Sequence, residues 1–344
     1  MRVAVTTVQV PFIRGGAEAH AEGLVRALAE HGCQVEMVTM PFRFGPPAEV
    51  LRTMDVWAAE DFARFDCGEI DRVICLKFPT YYLRHPNKVV WLLHQHRSVY
   101  ELFNTPYGES ADNPASLELQ QSILRRDTEH LSQATALFAN SSRVSARLKQ
   151  FNGLDSQPLY HPPTLADRFY CGKQLPYIFC PSRLETLKRQ ELLIRAMAKV
   201  SSPINAIIVG DGGIRQHLEQ LIEELLLQSR VRLVGRVSEE ELLSGYANSL
   251  GVFFGPYDED YGYVTLEAML SAKPVITCTD SGGPLEFVDH ETGFVVEPQA
   301  ENVAAAIDAM YSDQQGSLDK GQAGLQKYHR MGISWNNVVS KLLA

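Results

Sequence analysis

Short apolar runs alternate with stretches of helical period along nearly the whole chain. MRVAVTTVQV has the composition of a strand, and AEAHAEGLVRALAEHG the period of an amphipathic helix closed by Gly32. QVEMVTM follows as a strand; between residues 44 and 68 the pattern weakens, and DRVICLKF, KVVWLLHQH and ATALFANSS then read as three more strands. SLELQQSILRRDTEHLSQ is a long helix before the last of these. Residues 155–176, DSQPLYHPPTLADRFYCGKQLP, hold four of the 18 prolines and no clear period, so they read as a linker. A second alternation starts at Tyr177: YIFCPS, KRQELLIRAMAKV, NAIIVGDG, IRQHLEQLIEELLLQS, VRLVG, EEELLSGYANS, GVFFGP, TLEAMLSA, PVITC. These strands are apolar throughout rather than at every second residue, as strands covered on both faces are.

The expectation is an α/β protein with two Rossmann-like, doubly wound parallel sheets facing across a cleft. The expected divisions are an N-terminal acceptor-binding domain, 1–165, a C-terminal donor-binding domain, 166–325, and a final helix, 326–344, packing back toward the N-terminal domain. A length of 344 residues fits two cores better than one. In such sheets ligands lie beyond the carboxyl ends of the strands, so the loops that follow strands are where chemistry is sought.

Composition narrows the classes. Apolar residues make up 45% and charged residues 21%, with no run long enough to span a bilayer. The N-terminus enters a strand without the basic start and cleavage site of a signal peptide, so a cytoplasmic location is expected. A net charge of −9, with most of the excess acid in the second half, argues against a nucleic-acid partner. Six scattered cysteines form no CxxC pair, and Cys33, Cys75, Cys180 and Cys278 lie in or beside apolar stretches, as free thiols do.

Candidate chemistry sits after the strands. In EDYGYVTLEAM, Glu259 lies in a loop and Glu267 in the first turns of a helix, with Gly262 near the helix start. N–H groups there suit a phosphate or a sugar hydroxyl, and Glu267 suits a vicinal diol. The same acids also suit a helix that complements its own dipole, and spacing alone does not choose. Arg183 and Lys188 follow YIFCP and are placed to offset a diphosphate, although Arg-x4-Lys is equally a common surface spacing. Gly210, Gly212 and Gly213 open a tight turn whose spacing is not that of a nicotinamide motif. Gly15 and Gly16 follow the first strand, where backbone approaches a ligand closely. His94 and His96 end a strand on opposite faces with no third ligand at a metal-binding spacing, so no metal is expected. The two readings are a strand-end histidine that faces the cleft and hydrogen-bonds substrate, and a buried histidine with its bonds satisfied.

Taken in order, the motifs are GGAE, a strand-end His, SRLETLKRQELLIRA, VGDGG, VRLVGRVSEEEL, EDYGYVTLEAMLSAKPVI and SGGPLEFVDHETGFVVEP. This series resembles the retaining, nucleotide-sugar-dependent glycosyltransferases of the GT-B fold, family 4, also called glycosyl transferase group 1. The resemblance covers nearly the whole chain and is densest from Tyr177 to Pro298. It implies that Glu267 holds the donor ribose, that Glu259 binds a hydroxyl of the transferred sugar, and that backbone of Gly262, Tyr263 and Val264 lies near sugar and phosphate. Arg183 and Lys188 would neutralise the departing diphosphate, Gly212 would line the donor site, and backbone at Arg236 and Val237 would read the base. Gly15 and Gly16 would approach phosphate and acceptor, and His94, or His96 in its stead, would touch the transferred sugar. The implied partners are a nucleotide sugar and a sugar, glycolipid or other hydroxyl acceptor, with no cofactor and with peripheral contact at the inner face of a membrane. Departures are Ser182 before the arginine, Gln95 after the histidine, and LYHPPTL before the linker. The alternatives are an epimerase or a phosphorylase of the same fold, a silent nucleotide-sugar-binding partner, and, more distantly, a nicotinamide dehydrogenase.

Overall fold

Residue-by-residue alternation inside the central strands explains their unbroken apolarity. In β9 (Tyr177–Pro181), Ile178 and Cys180 join one hydrophobic cluster while Phe179, between them, joins the cluster on the other face. Both faces are dry, so the period of two is present in space and invisible in hydropathy. The computed structural model describes residues 1–13 and 15–344. The chain divides into two units, one of Met1–Thr164 with Ser334–Ala344 and one of Leu165–Ile333.

The first unit is built on β1 (Arg2–Gln9), β2 (Gln34–Pro41), the hairpin β3 (Arg64–Phe65) and β4 (Gly68–Glu69), β5 (Arg72–Cys75), β6 (Lys88–Leu92), β7 (Ala136–Ala139) and β8 (Gln157–Pro158). Apart from the hairpin these form one six-stranded sheet in the order β2-β1-β5-β6-β7-β8, parallel throughout. On one face α1 (Gly16–Glu30) packs Leu24 and Leu28 against Val3, Val5, Ile74 and Trp91. On the other, α2 (Pro47–Ala59), α3 (Pro114–Ser132) and α4 (Ser142–Asn152) set Met54, Trp57, Ile123 and Val144 over Val73, Cys75 and Val90. The helix α2 occupies the stretch in which the sequence pattern weakened. Its buried positions Val50, Met54 and Trp57 keep the helical interval, and Pro47 stands in its first turn, where a missing N–H costs nothing.

The second unit repeats the plan. The strands β9, β10 (Asn205–Val209), β11 (Val231–Gly235), β12 (Gly251–Phe253), β13 (Val275–Cys278) and β14 (Gly293–Val296) pair in the order β11-β10-β9-β12-β13-β14, again parallel. This is the Rossmann order, whose switch point lies between β9 and β12. The covering helices are α5 (Gln190–Met197), α6 (Arg215–Glu224), α7 (Glu239–Asn248), α8 (Tyr263–Leu270), α9 (Ala300–Ser312) and α10 (Gln314–Arg330).

Residues 326–344 are two pieces rather than the one expected helix. They comprise the end of α10 and a separate α11 (Trp335–Leu343). The helix α10 belongs to the second unit, where Gly321 lies so near Ala272 that a Cβ would sit 2.1 Å from its carbonyl oxygen. The helix α11 belongs to the first, adding Val338, Val339 and Leu342 to the α1 face. Gly23 of α1 makes room for Trp335, whose ring a Cβ would meet at 2.4 Å, and Arg72 donates to the carbonyl of Leu342 at 2.6 Å. Among the described residues no helix is long and apolar enough to cross a membrane, and all six cysteines are free, with Cys75, Cys180 and Cys278 buried.

Candidate functional site

The loops after β9 and β12 flank the switch point of the second unit, and each carries one half of an ion pair. Lys188 ends a short helical turn, Thr186–Lys188, and its Nζ donates to Oε2 of Glu259; both side chains are only 16% exposed. Phe254 lies beneath the ammonium, 5.6 Å from ring centroid to Nζ. The two loops are also joined through backbone, since the Tyr257 N–H donates to the Leu187 carbonyl at 2.8 Å. Glu259 itself runs as a strand-like segment beside the Ser281–Gly283 loop, donating to Ser281 O at 2.9 Å and accepting from the Gly283 N–H at 2.8 Å.

Arg183, the second expected cation, is turned outward. It is 50% exposed and pairs with Glu185 at 2.8 Å rather than with Glu259. Its backbone is nevertheless held: buried Gln190, at the start of α5, donates to the Arg183 carbonyl at 2.8 Å and to Ser182 Oγ at 2.7 Å. The VGDGG turn packs directly on this loop. A Cβ on Gly210 would fall 1.9 Å from the Ser182 carbonyl oxygen and one on Gly212 2.3 Å from that of Leu184. The close neighbour for which Gly212 makes room is therefore the cationic loop's own backbone.

The helix α8 begins at Gly262, whose φ of +87° is the left-handed region open to glycine. Tyr263 and Val264 form its first turn. Glu267 lies one turn further and accepts a hydrogen bond from the Tyr246 hydroxyl of α7. Burial pushes the Glu267 carboxyl up to about 6, against the lowering effect of the Tyr246 bond. The same acid, after burial, raises the Tyr263 phenol well above its ordinary value. Arg236 is 86% exposed, with its guanidinium 4.0 Å from Asp211, while Val237 packs into the core beneath α7.

In the first unit the Gly15 N–H donates to Glu18 Oε2 at 2.8 Å, which orders the start of α1 at Gly16. The two strand-end histidines part company. His96 is 4% exposed, enclosed by Phe42, Phe44 and Phe78, and burial pushes its imidazole down to about 4, so it is a neutral core ring. His94 is half-buried, its Nδ1 2.7 Å from the Gln95 carbonyl, and is the one with surface to offer. Gln95 points inward and donates to Asn152 at 2.6 Å. Sequence reasoning missed Tyr246, Gln190, Arg189 and Asp280. For Asp280 a signal was present, an acid directly before the SGG turn.

Residues 171–330 match the family described as Glycosyl transferases group 1, nearly the whole of the second unit. An uncharacterized glycosyltransferase of Methanocaldococcus jannaschii is 25% identical over 355 aligned positions, covering 91% of this chain and 90% of that protein. A GDP-mannose-dependent alpha-(1-6)-phosphatidylinositol monomannoside mannosyltransferase of Mycobacterium tuberculosis is 26% identical, covering 66% of this chain and 64% of that one. Among solved structures, Anabaena HepE in complex with UDP and glucose superposes with a TM-score of 0.70 over 100% of this chain and 98% of that one, at 18% identity.

Proposed function

We propose that this chain, a glycosyltransferase of the group 1 type with the GT-B fold, moves a hexosyl unit from a nucleoside diphosphate sugar to an acceptor hydroxyl with retained anomeric configuration. It does so without a metal or other cofactor, in making polysaccharide, glycolipid or glycoconjugate at the cytoplasmic face of a membrane. The observation that carries the reading is the Lys188–Glu259 pair set between β9 and β12, where a doubly wound sheet binds its ligand.

Lysine has three N–H donors, so Lys188 can keep Glu259 while donating to a diphosphate oxygen. Glu259 keeps a second oxygen for a hydroxyl of the transferred sugar. As the bond from sugar to phosphate loosens, negative charge grows on the leaving group, and Lys188 and the N–H groups of Gly262, Tyr263 and Val264 stabilise it, joined by Arg183 once its side chain turns from Glu185 toward the phosphate. Stabilisation of this kind is commonly the largest catalytic contribution. Lys188, held in place by Glu259, fills the role a divalent ion has elsewhere, which supports the metal-free reading. Glu267 takes the ribose diol, Arg236 and Val237 offer backbone to the base, and Gly212 keeps the cationic loop in place. Gly15, Gly16 and His94 serve the sugar and the acceptor. The mycobacterial relative is named for a phosphatidylinositol-borne acceptor, which supports a lipid-linked acceptor here.

The experiment is donor-dependent release of nucleoside diphosphate in the presence of acceptor, with the anomeric configuration of the product read by NMR. Lys188→Ala or Glu259→Ala should cut transfer on the order of a hundredfold or more while the fold survives. Full rate in both variants would remove the site, an inverted product would remove the retaining mechanism, and loss of activity in chelator restored by a divalent ion would remove the metal-free scheme.

A further inference from the structure

Immediately after Lys188 stands a residue the chemistry above leaves unused. Arg189 caps α5 with φ +52°, in the left-handed region where a long side chain is uncommon and strained. Its side chain is only 16% exposed. The guanidinium donates twice to one carboxylate, to Asp280 Oδ1 at 2.8 Å and Oδ2 at 2.7 Å, and lies 5.0 Å from the centroid of the Tyr257 ring. A two-bond fork of this kind fixes direction as well as distance, unlike a lysine contact.

Asp280 opens the loop to which Glu259 is tied. The Asp258 N–H donates to the Asp280 carbonyl at 2.9 Å, and the Glu259 N–H to that of Ser281 at 2.9 Å. The contacts therefore close on themselves: Lys188 is bonded in sequence to Arg189, Arg189 forks onto Asp280, the Asp280 loop holds Glu259 by backbone, and Glu259 returns to Lys188. Ninety-one residues of sequence separate the two ends of the fork, so no local turn would hold these loops together in its place.

We propose that Arg189 and Asp280 form a positioning clamp that fixes Lys188 and Glu259 relative to one another and so sets the point where diphosphate and transferred sugar meet. The clamp rests on the reading of the site given under Proposed function. Neither Arg189 nor Asp280 needs to touch donor or acceptor to act. Misplacement of a reacting group by about 1 Å is enough to slow an enzyme on the order of a hundredfold.

Glycine adopts a positive φ without strain, so Arg189→Gly removes the fork while relaxing the backbone that carries it. Initial rates should be measured across donor and acceptor concentrations for Arg189→Gly, Asp280→Asn and the double variant, with Tm alongside. The expected result is a kcat lowered on the order of 10- to 100-fold, a donor KM within about threefold of the parent, and an unchanged or raised Tm for Arg189→Gly. The double variant should be no slower than either single one, because both break one device. A parental kcat in Arg189→Gly overturns the clamp, as does a loss seen only in donor KM, which would make Arg189 a donor contact, or losses that multiply in the double variant. Lys188→Ala run in parallel separates the two readings. If it retains full rate, the site itself has been misread; if it is inactive while Arg189→Gly is unimpaired, only the clamp falls.

Discussion

Each unit holds one carboxyl group that burial has pushed up to about 6 and that tyrosine hydroxyls pull back down: Asp127 on α3 and Glu267 on α8. Their surroundings differ in one respect. Asp127 is fully buried and both of its oxygens are taken, Oδ1 by Tyr82 at 2.7 Å and Oδ2 by Tyr100 at 2.6 Å. Tyr100 also accepts from Asn152, which links this acid to the Gln95 beside His94. Glu267 is partly exposed, and among the described residues Tyr246 is the hydrogen-bond partner of its Oε2. A buried acid with both oxygens engaged is a piece of scaffold, whereas a partly engaged one on the helix that follows the Glu259 loop has acceptor capacity left for a ligand. A shifted pKa alone does not separate the two; the count of occupied oxygens does.

The largest effect expected from this contrast is on stability. Asp127→Ala leaves two buried tyrosine hydroxyls without their acceptor and should lower unfolding free energy by about 3–5 kcal/mol, read by urea titration. Glu267→Ala should cost far less. Comparable losses in the two would erase the distinction between scaffold and site. Next in size is donor affinity. Glu267→Gln exchanges acceptor oxygens for an amide and should weaken nucleotide binding about tenfold or more, at about 1.5–3 kcal/mol for a hydrogen bond to a charged group; unchanged binding by calorimetry would return Glu267 to the scaffold class. The smallest effect is in pH. Both carboxyls keep their protons to a higher pH in the fold than in the unfolded chain, so their share of stability declines as pH rises from the ordinary carboxyl range through about 6. The proposed binding of a donor diol to ionised Glu267 runs the other way: affinity for the nucleotide sugar should be up to about tenfold weaker at pH 5 than at pH 7 in the parent and flat in Glu267→Gln. A parent as flat as the variant would detach the ribose from Glu267.

The alternation of strand and helix was legible because a parallel sheet writes itself into short apolar runs. The helix α2 was not, since its paired prolines and polar start hid an interval that Val50, Met54 and Trp57 do keep. At the candidate site, Lys188, Glu259 and Glu267 could be picked out because each stands at a fixed place relative to a strand end or a helix start. Their partners could not. Tyr246 lies 21 residues from Glu267, and Asp280 lies 91 from Arg189; such pairings are made by the order of strands in the sheet and leave no local period. The two histidines show the same limit, because an extended strand predicts that they point apart but not that Phe42, Phe44 and Phe78 wait on the His96 side.

The seat of Trp335 against Gly23 has a bearing on how this polypeptide is made. Helix α1 emerges from the ribosome before the second unit, yet the helix that seals it follows only after that entire unit has been synthesised. Until then Leu24, Leu28 and Trp91 lack one wall, and a nascent chain halted just short of Ser334 would carry that bare apolar strip into the reach of chaperones.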